Sequence, residues 1–235
     1  MKKYIFVWIA VLLSIAVLAG CGKSAAEGAQ TTEEPADAAP DGASPLGGWS
    51  VPESEALTDE LLAVFDNAAK GLLGVDFEPL ACLGSQVVAG TNHAVFCSAR
   101  AVAPEAKPYY AVVYIYEDLQ GGTELLGVQS MTPGGEFDEN AGTAQTLAGG
   151  WAVPESQEEG IAAFNDAVEG LLGVGYTPVR VLGQQVVSGM NYCVLCRAQV
   201  VRPDAKPYWC LAYVYRDLNG SASVTEFTDL ELAAP

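Results

Sequence analysis

Two stretches of this chain are copies of each other, and that constrains its fold more than any other feature. Residues Leu83 to Gly121 align without a gap on Leu182 to Gly220, and 21 of the 39 positions are identical. Upstream, Gly47-Gly48-Trp49 answers Gly149-Gly150-Trp151, with three fewer residues between the glycines and the aligned block in the second copy. The repeats therefore run over Leu46–Met131 and Ala148–Pro235. Between them Thr132–Leu147, which contains Pro133-Gly134-Gly135, reads as a linker. Each unit is long enough for one modest hydrophobic core.

Within a repeat, the period of the apolar residues changes once. Leu57, Leu61, Leu62, Phe65, Ala68 and Leu72 recur at three- and four-residue spacing, which predicts a helix with one apolar face. In the second copy Ile161, Phe164, Val168 and Leu171 continue that stripe after Ser156 and Glu159, a capping-box pattern. Downstream the period becomes two. Val95, Cys97, Ala99 and Ala101 alternate with Phe96, Ser98 and Arg100, and Ala111, Val113 and Ile115 alternate with the tyrosines at 110, 114 and 116. The small and aliphatic set is assigned to the face under the helix. The aromatic rows Tyr110, Tyr114, Tyr116 and Trp209, Tyr213, Tyr215 are assigned to the other, water-facing side. A helix followed by an antiparallel meander predicts an α+β layer architecture.

The N-terminus carries a different signal. Lys2 and Lys3 precede an apolar run from Tyr4 to Leu18, and Leu18-Ala19-Gly20-Cys21 resembles a bacterial lipobox. Residues 1–20 are expected to be a lipoprotein signal peptide, with Cys21 as the lipidated first residue of the mature chain. The alternative is an uncleaved anchor, because the run approaches the length that spans a bilayer. Either way the rest of the chain is expected outside the cytoplasm, at the membrane. Residues 21–45 are dominated by Ala, Glu, Asp, Thr, Pro, Gly and Ser, too little apolar surface to offset the entropy of ordering, so they read as a disordered tether. The formal net charge of −18, two units lower once Lys2 and Lys3 leave, argues against nucleic acid as a partner. Solubility explains most of it; steering of a basic partner is the second reading.

Each repeat also carries a short motif at the turn between two predicted strands. Gln86-Val87-Val88-Ala89-Gly90 and Gln185-Val186-Val187-Ser188-Gly189 both fit Gln-x-Val-x-Gly, and a Gly-Gly pair precedes each helix. In these motifs and in the order of elements the chain resembles the cystatin family. The resemblance implies two tandem cystatin-like domains, each one helix packed on a curved antiparallel β-sheet. It also implies a function without catalysis: reversible inhibition of papain-like cysteine peptidases by a wedge inserted into the active-site cleft. Carried over, the wedge would comprise Gly47 and Gly48 with Gln86, Val87, Val88, Ala89 and Gly90 in the first copy. In the second it would comprise Gly149 and Gly150 with Gln185, Val186, Val187, Ser188 and Gly189. The second hairpin departs from many secreted cystatins: the Pro-Trp pair is absent, and Asp118-Leu119-Gln120-Gly121 and Asp217-Leu218-Asn219-Gly220 stand there, presenting Leu119 and Leu218. Trp49 and Trp151 are assigned to packing on their own repeat. The partner would be a host or competitor peptidase, met by a monomer held to the membrane at Cys21. The alternative function is a non-inhibitory binding or interaction module of the cell envelope, using the tyrosine rows as its contact surface.

Five cysteines follow Cys21. A turn at Val88 to Thr91 would set Cys82 opposite Cys97, and alternation places Cys196 and Cys210 on one face of adjacent strands, so these four are candidates for two disulfides with Cys193 left over. Five buried thiols are the equal alternative for this residue type. Cys193 and Cys196 form a Cys-x-x-Cys, but a strand would point them to opposite faces, away from metal or redox chemistry. His93 is the only histidine and matches Tyr192, which suits packing. No cofactor, metal site or nucleophile-base set is expected.

Overall fold

A computed structural model describes residues 47–131, 133 and 150–233. Both repeats fall in one compact unit. The signal peptide, Cys21, the tether, all of the linker but Pro133, and Gly149 lie outside the described residues.

The first repeat comprises β1 (Trp49–Ser50), α1 (Asp59–Ala69), β2 (Val75–Val88), β3 (Gly90–Ala101), β4 (Tyr109–Glu117) and β5 (Thr123–Ser130). The second comprises α2 (Glu158–Val168), β6 (Val174–Val187), β7 (Gly189–Val200), β8 (Tyr208–Arg216) and β9 (Ala222–Asp229). Two antiparallel sheets result, ordered β1-β2-β3-β4-β5 and β6-β7-β8-β9. A single bridge between Ala152 and Gln184 stands in the second sheet where β1 stands in the first.

Thr58 starts α1 by accepting the Leu61 amide on its Oγ1 at 3.1 Å, a side-chain cap that satisfies one of the first-turn donors. The capping box expected at Ser156 and Glu159 is not formed. Ser156 Oγ instead accepts the Glu158 amide at 3.2 Å, and the cap residue Gln157 turns its side chain to β6. There Gln157 Oε1 accepts Val181 N at 2.7 Å while its Nε2 donates to Val181 O at 3.3 Å. The helix start is therefore pinned to a strand rather than to its own first turn.

Each helix covers the outer face of one sheet. Leu61, Val64 and Phe65 pack with Val95, Cys97, Val113 and Ile115; Ala163 and Phe164 pack with Val181, Val194, Cys196, Ala212 and Val214. The largest core lies elsewhere, between the sheets. Phe96, Tyr110, Val112 and Tyr114 of the first repeat meet Leu182, Cys193, Leu195 and Trp209 of the second.

That interface corrects the fold expected from the sequence. The chain is not two tandem cystatin-like α+β domains. It is mostly β, two curled antiparallel sheets sharing one core, with helices of only 11 residues. The physical reason is the second face of each sheet. Every residue from Tyr109 to Ile115 is buried, so β4 is apolar on both sides and needs cover on both. The helix covers one side and the other repeat covers the other. Half of the aromatic rows assigned to water are accordingly inside: Tyr110, Tyr114 and Trp209 are buried, whereas Tyr116, Tyr213 and Tyr215 are half-buried.

Reciprocal contacts fix how the sheets face each other. Trp209, at the start of β8, donates Nε1–H to Leu83 O at 2.6 Å, in the half of β2 nearer its hairpin. Tyr110, at the start of β4, takes Arg180 Nε at 3.1 Å. Leu232, beyond β9, lies against Gly84, and Pro133, beyond β5, lies against Gly183. The starting end of each sheet thus overlaps the hairpin half of the other. The two hairpin ends are thereby set apart, each on its own side of the shared core.

Candidate functional site

At the hairpin end of the first sheet three segments meet. The turn is tight, with Val88 paired to Gly90. Gly90 has φ +141°, and a Cβ there would overlap the Glu117 carbonyl oxygen and the Tyr116 ring. Glycine is needed here because β4 passes directly against the turn. Tyr116 exploits the approach, donating its hydroxyl to Ala89 O at 2.6 Å. Gln86 ties in the trunk: its Nε2 donates to Gly47 O at 2.5 Å, while its Oε1 accepts Asn92 Nδ2 at 2.7 Å. Trp49, paired with Gln86, packs edge-on to Tyr114 at 5.6 Å. The tryptophan after the glycines therefore faces the molecule and anchors the trunk.

The third segment is the β4–β5 loop. Asp118 Oδ1 accepts the amides of Gln120 and Gly122 at 2.7 and 2.8 Å. This carboxylate closes the turn locally, as aspartate does at such positions, and leaves Leu119 at its tip. The second repeat repeats the arrangement. Gly189 has φ +125° with the Arg216 carbonyl against it, Tyr215 donates to Ser188 O at 2.5 Å, and Asn191 donates to Gln185 at 2.8 Å. Asp217 Oδ1 accepts Asn219 N and Ser221 N at 2.8 and 2.9 Å. Trp151 packs edge-on to Tyr213 at 5.9 Å.

What these segments present to water is apolar. Val87 and Leu119 are 74% and 79% exposed at one end, Val186 and Leu218 69% and 84% at the other. Val88 and Val187 flank them, also exposed. Gly48 and Gly150 lie beside the trunk tryptophans, partly covered. The structure thus brings Gly47, Gly48, Gln86 to Gly90 and Leu119 to one end, and Gly150, Gln185 to Gly189 and Leu218 to the other. Sequence reasoning missed Asp118, Asp217, Tyr116 and Tyr215 as the groups that hold these tips. The aspartates were readable, since each opens a four-residue turn ending in glycine; the tyrosines were not, because their partners are carbonyls on another hairpin.

The cysteines are all free thiols among the described residues. The Cys82–Cys97 pairing is corrected by register. The turn pairs Val88 with Gly90 rather than Thr91, and a bulge between Cys82 and Gly84 shifts the ladder again, so Cys82 faces Val95; a further bulge between Pro79 and Ala81 leaves Cys97 facing Pro79. Cys196 and Cys210 are directly opposed, with their sulfurs 3.1 Å apart. Cys196 shares its proton with Cys210, which holds the Cys210 thiol down and pushes that of Cys196 up. Incubation with oxidised glutathione should join these two, forming the S–S bond while two glutathione thiols are released. Peptide mapping should find that bridge and no Cys82–Cys97 bridge; a map with Cys196 and Cys210 both reduced would contradict it. Cys193 lies in the inter-sheet core and its thiol is pushed up to about 12 by burial, so it stays protonated.

His93 Nε2 sits 3.2 Å from Glu117 Oε2, a cross-strand pair beside the first turn. Among the described residues no group of His, Cys, Asp and Glu could hold a metal ion, and no helix is long and apolar enough to cross a membrane.

Compared with known proteins, the sequence matches no protein-family model and no curated protein. A solved structure described as an Ntf2-like protein involved in plasmid conjugation aligns with 68% of this chain and 80% of its own length, at 10% identity and a TM-score of 0.21. A likeness at that level carries no argument about fold or function.

Proposed function

We propose that each hairpin end is a wedge that fills the active-site cleft of a papain-like cysteine peptidase and inhibits it reversibly. The observation that carries this reading is the convergence of trunk, first hairpin and second loop around an exposed apolar tip, twice in one chain. Every part of the tip is held before docking: Gln86 fixes the trunk, Tyr116 the first hairpin and Asp118 the second loop. Docking such a surface loses little conformational entropy, which is where preorganised binders gain affinity. The tips carry no nucleophile, so they block a cleft rather than react in it. With Cys21 lipidated, both wedges stand outside the cytoplasm at the membrane surface, placed to meet peptidases arriving there.

The non-inhibitory envelope module drew its support from aromatic rows open to a partner. Those rows are largely spent on the inter-sheet core, which leaves the ends of the sheets as the apolar surface on offer. The test is direct. A chain starting at residue 46 should slow papain hydrolysis of a fluorogenic peptide, competitively and reversibly. Unchanged hydrolysis at micromolar chain, with no binding to papain whose active-site cysteine is blocked, would sink the reading.

A further inference from the structure

The two copies differ most tellingly at the starting end of the second sheet. There a cavity of about 600 Å³ is lined by Arg197, Arg202, Thr177, Gln199, Tyr176 and Val201, among others. Thr177 is paired directly with Arg197 across β6 and β7. Arg197 is anchored by one end only: its Nη2 donates to Pro52 O at 3.0 Å, while its Nε is buried without a partner. Beyond the Pro52 contact the guanidinium, which lines the cavity, has N–H donors left over, and a charged acceptor satisfies such donors best.

The matching positions in the first repeat carry the opposite net charge. Glu78 stands for Thr177, Ser98 for Arg197, Asp76 for Gly175, Ala103 for Arg202 and Arg100 for Gln199. Two carboxylates and one guanidinium in the first repeat give way to two guanidiniums alone in the second, in a chain whose overall balance is strongly acidic. Gly175 further clears the floor, where a Cβ would meet only the Gln199 carbonyl oxygen at 3.9 Å. Solubility does not explain a local reversal of sign against the trend of the whole molecule. Folding does not require Arg202, which is exposed.

We propose that this cavity binds a small oxyanion, a carboxylate or phosphate group, on Arg197, Arg202 and Thr177, with Tyr176 and Val201 flanking the apolar part of its carrier. Arginine suits this because its planar fork matches both groups. The site is independent of the wedges, which lie at the hairpin ends.

The experiment follows the Arg197 Nε–H resonance in the chain from residue 46 during titration with inorganic phosphate and, separately, with hexanoate. A saturable shift with either is expected, phosphate alone marking a site for the head group and hexanoate one that also uses the apolar wall. Thr177→Glu, which restores the residue of the first repeat, and Arg202→Ala should each weaken binding about tenfold or more, the loss of one charge-assisted contact. Both positions are exposed, so the backbone spectrum should stay that of the folded chain. No shift, a shift that never saturates, or equal binding by Thr177→Glu would overturn the proposal.

Discussion

Cutting the chain between its repeats will not yield two folded halves. Each half would expose the inner face of its sheet: Phe96, Tyr110, Val112 and Tyr114 in one, Leu182, Leu195 and Trp209 in the other. Contiguous apolar patches of that kind drive association, so isolated repeats should aggregate or pair with each other. For the same reason the intact chain should unfold in one transition, because neither sheet keeps its core without the other. Trp209→Ala tests the interface within the whole chain. It removes a side chain that is 1% exposed and the 2.6 Å hydrogen bond to Leu83 O. Deleting a buried aromatic costs about 3–5 kcal/mol, which for a unit of this size lowers Tm by roughly 6–20 °C. Calorimetry should show one peak moved down by that much. Two separate peaks in the unmutated chain, or a shift within a degree or two for Trp209→Ala, would show that the sheets are independent after all.

The parts of this architecture that depend on local period were legible in the sequence. The helix stripe around Leu61 and Phe65, the alternation along β3 and β4, and the turn before Gly90 could all be read from neighbours a few residues away. What could not be read depends on pairings between distant segments. The period-two pattern says that Tyr110 and Tyr114 share a face, but not whether water or another sheet covers it; that answer lies 70 to 120 residues away, at Arg180 and Ala233. The exact turn register and the bulges in β2 are equally silent in sequence: pairing Val88 with Gly90 rather than Thr91 moves Cys82 one place from Cys97, and the bulge before Gly84 moves it one more, to Val95. The tip residues were found through a motif, whereas the structure explains two of its fixed positions by folding: Gln86 holds the trunk and Gly90 admits β4. Replacing Gly90 therefore tests the fold of the turn as much as any binding. Val87 and Leu119, which support nothing around them, are the cleaner probes.

Two wedges set apart by a shared core should bind two peptidase molecules at once. Were they side by side, the first enzyme docked would obstruct the second; separated by the shared core, each tip has its own approach. Light scattering on mixtures with active-site-blocked papain should therefore find two enzymes per chain. Val87→Asp with Leu119→Asp should leave one, and Val186→Asp with Leu218→Asp should leave the other. A fully buried aliphatic side chain contributes about 1.5–3 kcal/mol, and 1.4 kcal/mol is tenfold in affinity, so each aspartate should weaken its own wedge by about tenfold or more. These side chains are largely exposed in the free chain, so melting should barely change, which separates lost binding from lost structure. Leu73→Asp, more exposed than Leu119 but at the other end of the first sheet, should leave the first wedge intact. Binding that stops at one enzyme, lost with the first pair and untouched by the second, would mean that only the first repeat kept a working edge. Binding that survives all four changes would move the contact off the tips and end the wedge account, while leaving the folded chain and its shared core as they are.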